Sequence, residues 1–342
     1  MKKSLLALAV LGAFAGAASA QTNVTIYGVA DVGIQRIDTS ATEARWGLDS
    51  GIQSGSRLGF KGSEDLGGGL SAIFTLESGY NIDTGTSAQG GRLFGRQAFV
   101  GLSGGFGAVK FGRQYTPIFI AHDTIDPFGT GIIGDGSGIS AVFNPYGIRM
   151  DNTINYSLTA GPISGQIAYG FGEVAGENSA GRQIGASLGY ANGPLTVVGA
   201  YHTANSPTVG SQADASTAFI GGVFDFRVVK LHGAFADNRG DSATGATAIR
   251  DRDYMLGVSA PIGGAGNVMA SYTRHDQRLT GLGGADASYW ALGYTHNLSK
   301  RTNLYTSYST IRNDAGSAVG LPTGVAAGND ISWVNVGIRH KF

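Results

Sequence analysis

The side chains that most often carry out chemistry are restricted in this chain. It has no cysteine, so neither a disulfide nor a thiolate metal site can form. Its six histidines are dispersed, and none shows the H-E-x-x-H spacing that places two zinc ligands and a general base on one helix. The glycine run at 67–69 lacks the lysine and the Ser or Thr of a phosphate-binding loop. The sequence therefore predicts no catalytic residue, no metal site and no cofactor.

Charged side chains are the remaining candidates for a functional role. Lys plus Arg and Asp plus Glu number 24 each, so no net field attracts nucleic acid. Some basic residues, among them Arg57, Lys61 and Arg149, lie in segments where apolar and polar residues alternate. Such a group can orient polar solutes if its face of the segment meets water. If it faced lipid, it would cost about 2–4 kcal/mol at the bilayer midplane. The fold decides which of the two applies.

The first twenty residues have the layout of a secretory signal peptide. Two lysines precede an apolar run from Leu5 to Ala18, and an A-x-A cleavage site ends at Ala20. This run of about 14 residues is too short to span a membrane well as a helix. We therefore predict a cleaved signal peptide at residues 1–20 and a single mature domain at residues 21–342.

Alternation with a period of two runs through the mature chain. In 333–342 the even positions are Val, Val, Ile, His and Phe, whereas the odd ones include Asn, Gly, Arg and Lys. The segments 24–32, 164–171 and 254–260 alternate in the same way. Strict alternation indicates strands with one apolar and one small or polar face. In an exported chain this pattern favours an outer-membrane barrel over a soluble periplasmic protein, because the polar face can line a lumen.

Turn signals set the number of strands. Seven short turns alternate with eight longer polar stretches, which predicts sixteen strands with both chain ends at the short-turn end. The short turns lie near 64–69, 103–107, 160–164, 191–194, 225–227, 261–267 and 297–302, and the long stretches are 36–54, 81–92, 114–148, 172–182, 203–214, 237–251, 275–287 and 312–330. The predicted fold is all-β, a 16-stranded antiparallel transmembrane β-barrel. Barrels of sixteen to eighteen strands leave an aqueous channel.

Parity then assigns basic residues to faces of the barrel. With Leu58 and Phe60 towards lipid, Arg57 and Lys61 face the lumen. By the same reasoning Arg149 points inward at the start of the strand after the longest connection. Arg113 shares parity with the apolar residues 109 and 111, so a bulge must turn it if it faces inward.

Five segments of the mature chain resemble the Gram-negative porins, in particular the general diffusion porins of beta-proteobacteria. They are VTIYGV at 24–29, SRLGFKGSEDLGGGL at 56–70, FGRQAFVGL at 94–102, FGRQY at 111–115 and GIRHKF at 337–342. The resemblance implies an integral barrel of the outer membrane, assembled as a homotrimer. It also implies that the long third external loop, here 114–148, folds into the lumen of each barrel.

The same resemblance implies roles for individual residues. Arg57, Arg113 and Arg149 match the arginines of the family's cluster on the barrel wall, which faces acids of the third loop. Asp123 and Asp126 are the acids expected at that position here, and Lys61 joins the basic wall by its parity. The terminal Phe342 ends a strand similar to the signal that the barrel-assembly machinery reads.

These features predict a water-filled channel for passive diffusion of small hydrophilic solutes and ions. Four basic wall positions against two or three loop acids favour a slight anion preference. The expected partners are outer-membrane lipid and lipopolysaccharide, the barrel-assembly machinery and the diffusing solutes, with no nucleic acid. Two alternatives stay open: a substrate-specific porin with a binding site in its channel, and an adhesive or structural outer-membrane barrel.

Overall fold

Strands make up most of the molecule. The computed structural model describes residues 23–132, 147–279 and 284–342, so the predicted signal peptide lies outside the described residues. The strand segments are β1 (Asn23–Thr39), β2 (Thr42–Ser50), β3 (Arg57–Gly67), β4 (Leu70–Gly79), β5 (Gln97–Gly104), β6 (Gly107–Tyr115), β7 (Arg149–Met150), β8 (Thr153–Ala160), β9 (Ile163–Gly170), β10 (Gln183–Asn192), β11 (Leu195–Asn205), β12 (Asp214–Asp225), β13 (Lys230–Asp241), β14 (Thr247–Ile262), β15 (Gly266–Gln277), β16 (Ala287–Asn297), β17 (Thr302–Asn313) and β18 (Ile331–Lys341).

These segments form one closed antiparallel sheet. β1 pairs with both β2 and β3, and β6 pairs with both β7 and β8. β2 and β3 therefore occupy one strand position of the sheet, and β7 and β8 occupy another. The eighteen segments thus fill sixteen positions. β1 pairs with β18 from Val29↔Lys341 to Thr39↔Ile331, which closes the sheet. The predicted 16-stranded antiparallel barrel is confirmed.

All seven predicted short turns connect neighbouring strands in the structure. Two of the predicted long loops are largely strand instead. Within 36–54, β1 continues to Thr39 and returns as β2 after a two-residue turn. Within 237–251, β13 runs to Asp241 and β14 begins at Thr247. The prediction equated polar sequence with loop, but polar strands continue to pair where they extend beyond the apolar band into water.

The two faces of the sheet differ as the alternation predicts. Large apolar side chains such as Val100, Leu188, Leu256 and Leu292 are more than half exposed on the outer face. The residues between them point inward and are mostly small or polar. An apolar outer face with a polar interior is the arrangement of a membrane barrel.

A helix breaks the regular interior. α1 (Pro117–Ile125) begins after Thr116, whose Oγ1 accepts a hydrogen bond from the backbone N–H of Phe119 (3.2 Å), and a proline occupies its first position. A short 3-10 helix lies at Gln89–Gly91. Among the described residues, no helix has the length and apolar character needed to cross a membrane.

The connection that contains α1 runs along the inner wall. Ile118 and Ile125 are fully buried against inward side chains of β11–β14, including Val198, Phe219 and Met255. Beyond the helix, Phe128 and Ile132 pack into a second interior cluster with residues of β15–β18. Residues 133–146 of this connection lie outside the described part of the chain. The described part covers the interior from β9 to β18 and leaves the wall formed by β3–β8 open.

Candidate functional site

Four arginines lie on the open part of the inner wall, and we call them the arginine cluster: Arg57, Arg96, Arg113 and Arg149. Arg57 starts β3, Arg96 directly precedes β5, Arg113 lies near the end of β6 and Arg149 starts β7. Because these strands are neighbours in the barrel and the four residues lie at the same end of it, the closure of the sheet brings them together.

A buried ion pair anchors the cluster. Nε of Arg96 donates to Oε1 of Glu77 at 2.8 Å, and both side chains are less than one-tenth exposed. The other carboxylate oxygen of Glu77 accepts from the hydroxyl of Tyr27 (2.9 Å). Arg96 also packs on Gly55, where a Cβ would come within 2.8 Å of its Nη1. Arg96 and Glu77 thus each have a hydrogen-bonding partner of opposite charge, as a buried ion pair requires.

Tyr115 links this pair to Arg149. Its hydroxyl accepts hydrogen bonds from Arg96 (2.7 Å) and Arg149 (3.3 Å), and the Arg149 guanidinium lies 4.7 Å from the centre of its ring. The same ring stacks on Phe119 of α1 at 4.9 Å. Tyr115 therefore holds two guanidiniums at the point where the strand passes into the long connection.

Arg113 reaches the cluster through a break in the alternation. Phe111 lies on the outer face and is 48% exposed, whereas Tyr115 lies inside. The break falls at Gly112, whose φ of +126° is a backbone conformation that side chains rarely allow. Nη1 of Arg113 donates to Asp151 (2.5 Å) and its Nε to the carbonyl of Gly95 (2.8 Å). Arg113 thus contacts the same wall as the other arginines despite its outward parity.

The remaining basic residues lie along β3. Arg57 donates from Nε to the carbonyl of Gly55 (2.9 Å) and from Nη2 to the hydroxyl of Ser54, so its guanidinium is held at the end of the strand. Lys61 is exposed, and its ammonium lies 5.2 Å from the ring centre of Tyr27. Lys61 lies four residues, or two inward positions, nearer the short-turn end of β3 than Arg57.

The two predicted loop acids have different environments. Asp123 is exposed, on the side of α1 opposite to the face that packs against β11–β14, and its Oδ1 accepts from the hydroxyl of Thr130. Asp126 is only 6% exposed, and its Oδ2 accepts from the backbone N–H of Thr130 (2.8 Å). Asp126 thus stabilises the turn after the helix, and of the two acids only Asp123 presents a carboxylate to water.

Positive charge exceeds negative charge on the open wall. Arg92, in the connection before β5, forms an ion pair with Asp151, with its Nη1 at 2.8 Å from Oδ2. Asp151 also pairs with Arg113. The guanidiniums of this wall are those of Arg57, Arg92, Arg96, Arg113 and Arg149, and the carboxylates bonded to them are those of Glu77 and Asp151. In the described part of the chain, these five guanidiniums therefore bond to only two carboxylates.

The helix carries a titratable group on its buried face. His122 is 2% exposed, with its ring at 5.9 Å from that of Phe219 in an edge-to-face arrangement. Burial disfavours the charged imidazolium and lowers the pKa of His122 to about 4. His232 of β13 contacts the end of the same helix, with Nδ1 2.7 Å from the carbonyl oxygen of Ile125.

Sequence reasoning did not assign Arg96 to this wall. Because Arg96 shares parity with Val100, simple alternation would place it on the outer face. Arg96 lies before β5, however, where the alternation no longer applies. Glu77 was the available signal for a basic residue at this place. It has inward parity and pairs in register with Gly59, which lies between Arg57 and Lys61. An inward carboxylate in a barrel wall needs a cationic partner.

The terminal residue takes part in closing the barrel. The backbone N–H of Phe342 donates to the carbonyl of Gly28 (3.1 Å), and the N–H of Gly28 donates to the carbonyl of Phe342 (3.0 Å). The Phe342 ring lies over Gly28, where a Cβ would be 2.2 Å from it. Phe342 is therefore part of the seam between the first and last strands.

Known proteins share this architecture. A family model described as Gram-negative porin matches residues 7–316. An outer membrane porin protein of Bordetella pertussis is 38% identical, and the match covers 100% of both chains. An anion-selective porin from Comamonas acidovorans is 34% identical with a TM-score of 0.80, over 94% of this chain and 100% of its own. OmpT of Vibrio cholerae, solved in a trimer form, has the same fold at 17% identity, with a TM-score of 0.70 over 94% and 99% of the two chains.

Proposed function

This chain belongs to the Gram-negative porin family of outer-membrane channels, which are not enzymes, and we propose that it conducts small hydrophilic solutes and ions passively, with a slight preference for anions. The arginine cluster carries this proposal. Its charge faces an interior lined by small and polar residues, so an anion passing the open wall meets guanidiniums that are fixed by hydrogen bonds.

The narrowest part of the channel is proposed to lie between the open wall and α1. Arg57, Arg113 and Arg149 form the basic side, with Lys61 nearer the short-turn end. Asp123 supplies the acid on the helix side, and Asp126 acts through the turn rather than through contact with solutes. Opposite charges across this gap would orient a polar solute as it passes.

The assembly and biogenesis of the protein form a second part of the proposal. We propose a homotrimer in the outer membrane, supported by the trimer form of OmpT, whose fold this chain shares. Residues 1–20 would direct export and be removed, leaving residues 21–342 as the barrel. Phe342 at the seam of the barrel is proposed as the residue that the assembly machinery recognises.

Planar-bilayer recording of the purified protein tests the channel. Large conductance in triplet steps, with a reversal potential in a KCl gradient that favours chloride, is the expected result. A unit charge acts on an ion about 4 Å away in water with about 1 kcal/mol. Arg149→Ser should therefore lower the chloride-to-potassium permeability ratio by about two- to fivefold.

Arg227→Ser is the matched control, because Arg227 is exposed in a short turn far from the cluster. It should leave the permeability ratio unchanged. Absence of conductance from correctly folded trimers would contradict the channel itself. If the permeability ratio were equal in Arg149→Ser and wild type, the arginine cluster would not be the source of the anion preference.

A further inference from the structure

An insertion interrupts the barrel wall directly before the arginine cluster. Residues 51–56 connect β2 to β3 without joining the sheet, and we call them the inner segment. The pairing of β1 with β2 ends at Val32↔Ser50, and its pairing with β3 starts at Val29↔Arg57. The inner segment therefore lies opposite only two residues of β1. Insertions of this kind bend a strand and often redirect a side chain next to a functional site.

Asp31 holds the inner segment against β1. Its side chain is fully buried, and its Oδ2 accepts a hydrogen bond from the backbone N–H of Ser54 (2.7 Å). The backbone of Asp31 bonds to both ends of the segment. Its carbonyl accepts from the N–H of Gly51 (2.8 Å), and its N–H donates to the hydroxyl of Ser56 (3.1 Å). One residue of β1 thus fixes the start, the middle and the end of the inner segment.

Tyr305 of β17 holds the other oxygen of this carboxylate. Its hydroxyl donates to Oδ1 of Asp31 (2.7 Å), and its ring lies over Gly337, where a Cβ would be 2.3 Å from it. Arg339 is in register with Asp31 on β18, but its Nε donates to Oδ1 of Asn303 (3.1 Å). Both described hydrogen bonds to the Asp31 carboxylate therefore come from uncharged donors, which suits a group that fixes the backbone.

The inner segment in turn holds members of the arginine cluster. The carbonyl of Gly55 accepts from Nε of Arg57 (2.9 Å), and the hydroxyl of Ser54 accepts from Nη2 of the same guanidinium. Arg96 packs against Gly55, where a Cβ would be 2.8 Å from its Nη1. Within the described residues, both hydrogen bonds of the Arg57 guanidinium end on the inner segment. The position of this guanidinium therefore depends on that of the segment.

We propose that Asp31 is a positioning residue for anion selectivity, which acts through the inner segment on the guanidinium of Arg57. Tyr305 supports this role by holding the second carboxylate oxygen. The proposal rests on the anion preference proposed above. A carboxylate near the lumen would by itself disfavour anions, whereas this one favours them because it fixes a guanidinium.

Reversal potentials in a KCl gradient test the proposal with four proteins: the wild type, Asp31→Glu, Arg57→Ser and the double variant. Asp31→Glu keeps the charge, but in a fully buried site the longer side chain cannot bond to Ser54 and Tyr305 in the same geometry. A guanidinium that moves from about 4 Å to about 8 Å from the path of an ion loses half of its interaction with that ion.

Arg57→Ser should lower the chloride-to-potassium permeability ratio by about two- to fivefold, and Asp31→Glu should lower it by about 1.5- to twofold. The double variant should have the ratio of Arg57→Ser, because two residues that act through one group are not additive. The matched control is Asp225→Glu, in a short turn at the other end of the barrel, where Asp225 pairs with Lys230 (3.2 Å). The control should keep the wild-type ratio.

The outcomes separate this proposal from the function on which it rests. If Arg57→Ser lowers the ratio and Asp31→Glu does not, the positioning role of Asp31 is wrong and the arginine cluster keeps its role. An effect of Asp31→Glu that is as large in the Arg57→Ser background as in the wild type would also overturn the proposal. An unchanged ratio in Arg57→Ser would contradict the proposed role of Arg57 in selectivity, and the positioning role with it.

A second pair of variants tests the proposal if Asp31→Glu does not fold. Tyr305→Phe removes only the hydroxyl that bonds to Asp31 and changes no charge, so it should lower the ratio in the same direction as Asp31→Glu. Tyr308→Phe, on the outer face of the same strand, is its control and should keep the wild-type ratio. Equal ratios in the two tyrosine variants would overturn the proposal. A heat-dependent shift in gel mobility verifies that each variant is folded.

Discussion

Two parts of the inner wall have opposite chemistry. The wall formed by β3–β8 carries the arginine cluster and is held by ion pairs and tyrosine hydroxyls. The wall formed by β11–β14 carries an apolar surface on which α1 lies, and we call it the helix seat: Val198, Phe219, Ala236 and Met255. Their difference shows how one barrel can contain both a fixed loop and a charged passage. Apolar packing covers one wall, whereas the described residues of the long connection leave most of the other wall uncovered.

The rigidity of the two walls also has different sources. The arginine cluster is ordered by directional bonds to Glu77, Tyr115 and Asp151, so each guanidinium has a defined position. The helix seat is ordered by contact area, with Ile118 and Ile125 inserted among side chains of the strands. Changes to one buried polar partner should therefore affect the first wall most, and changes in side-chain volume the second.

The largest expected effect is that of removing the carboxylate from the charged wall. Glu77→Gln leaves the guanidinium of Arg96 buried without its partner, which typically costs about 3–5 kcal/mol. The free energy of unfolding, from urea denaturation in detergent followed by tryptophan fluorescence, should fall by that amount. Asp225→Asn is the control, because Asp225 forms an exposed pair with Lys230 (3.2 Å) and should change little. Equal effects of the two variants would mean that the buried pair does not order this wall.

The helix seat should respond to a change in volume. Ile125→Ala removes a fully buried side chain and should destabilise the docked helix by about 2–3 kcal/mol, the lower part of the usual range because the helix can shift into the space. Amide hydrogen exchange in α1 should then become about 30- to 150-fold faster. Ile120→Ala, on the exposed side of the same helix at 39%, should change exchange little. Similar exchange in both variants would show that the helix is not held by its buried face.

Sequence reasoning reached the charged wall better than the helix seat. Period-two parity is a local property, so it assigned Arg57, Lys61 and Arg149 to the interior before any strand pairing was known. It could not place Arg113, because the turn at Gly112 depends on one backbone angle. It also failed for Arg96, which lies just outside its strand, where side-chain direction follows tertiary contacts.

The helix seat has almost no local signature. The prolines and the buried face of α1 are visible in 114–148, but the strands that receive the helix lie about 75 to 140 residues further along the chain. Which inward residues are large enough to form a seat depends on register around the whole barrel. For the same reason, parity could not distinguish Asp126, which is buried in the turn, from the exposed Asp123.

The smallest expected effect is a pH dependence confined to the helix seat. The buried imidazole of His122 has its pKa lowered to about 4, against about 6.5 when exposed. The undocked helix therefore binds more protons than the docked one between these values, so docking is fully stable above about pH 6.5 and weakens as the pH falls. Between pH 7 and pH 6 the loss is about 0.7 kcal/mol. Protection of α1 amides, corrected for intrinsic exchange, should fall by about threefold over that interval. His202 and His232 also face the helix, so the variant His122→Leu isolates the contribution of His122 to the pH dependence. The protection of α1 amides in this variant should vary less with pH than in the wild type. In Arg149→Ser, on the opposite wall, the protection should vary with pH as it does in the wild type. An unchanged slope in His122→Leu would assign the pH dependence to the other two histidines.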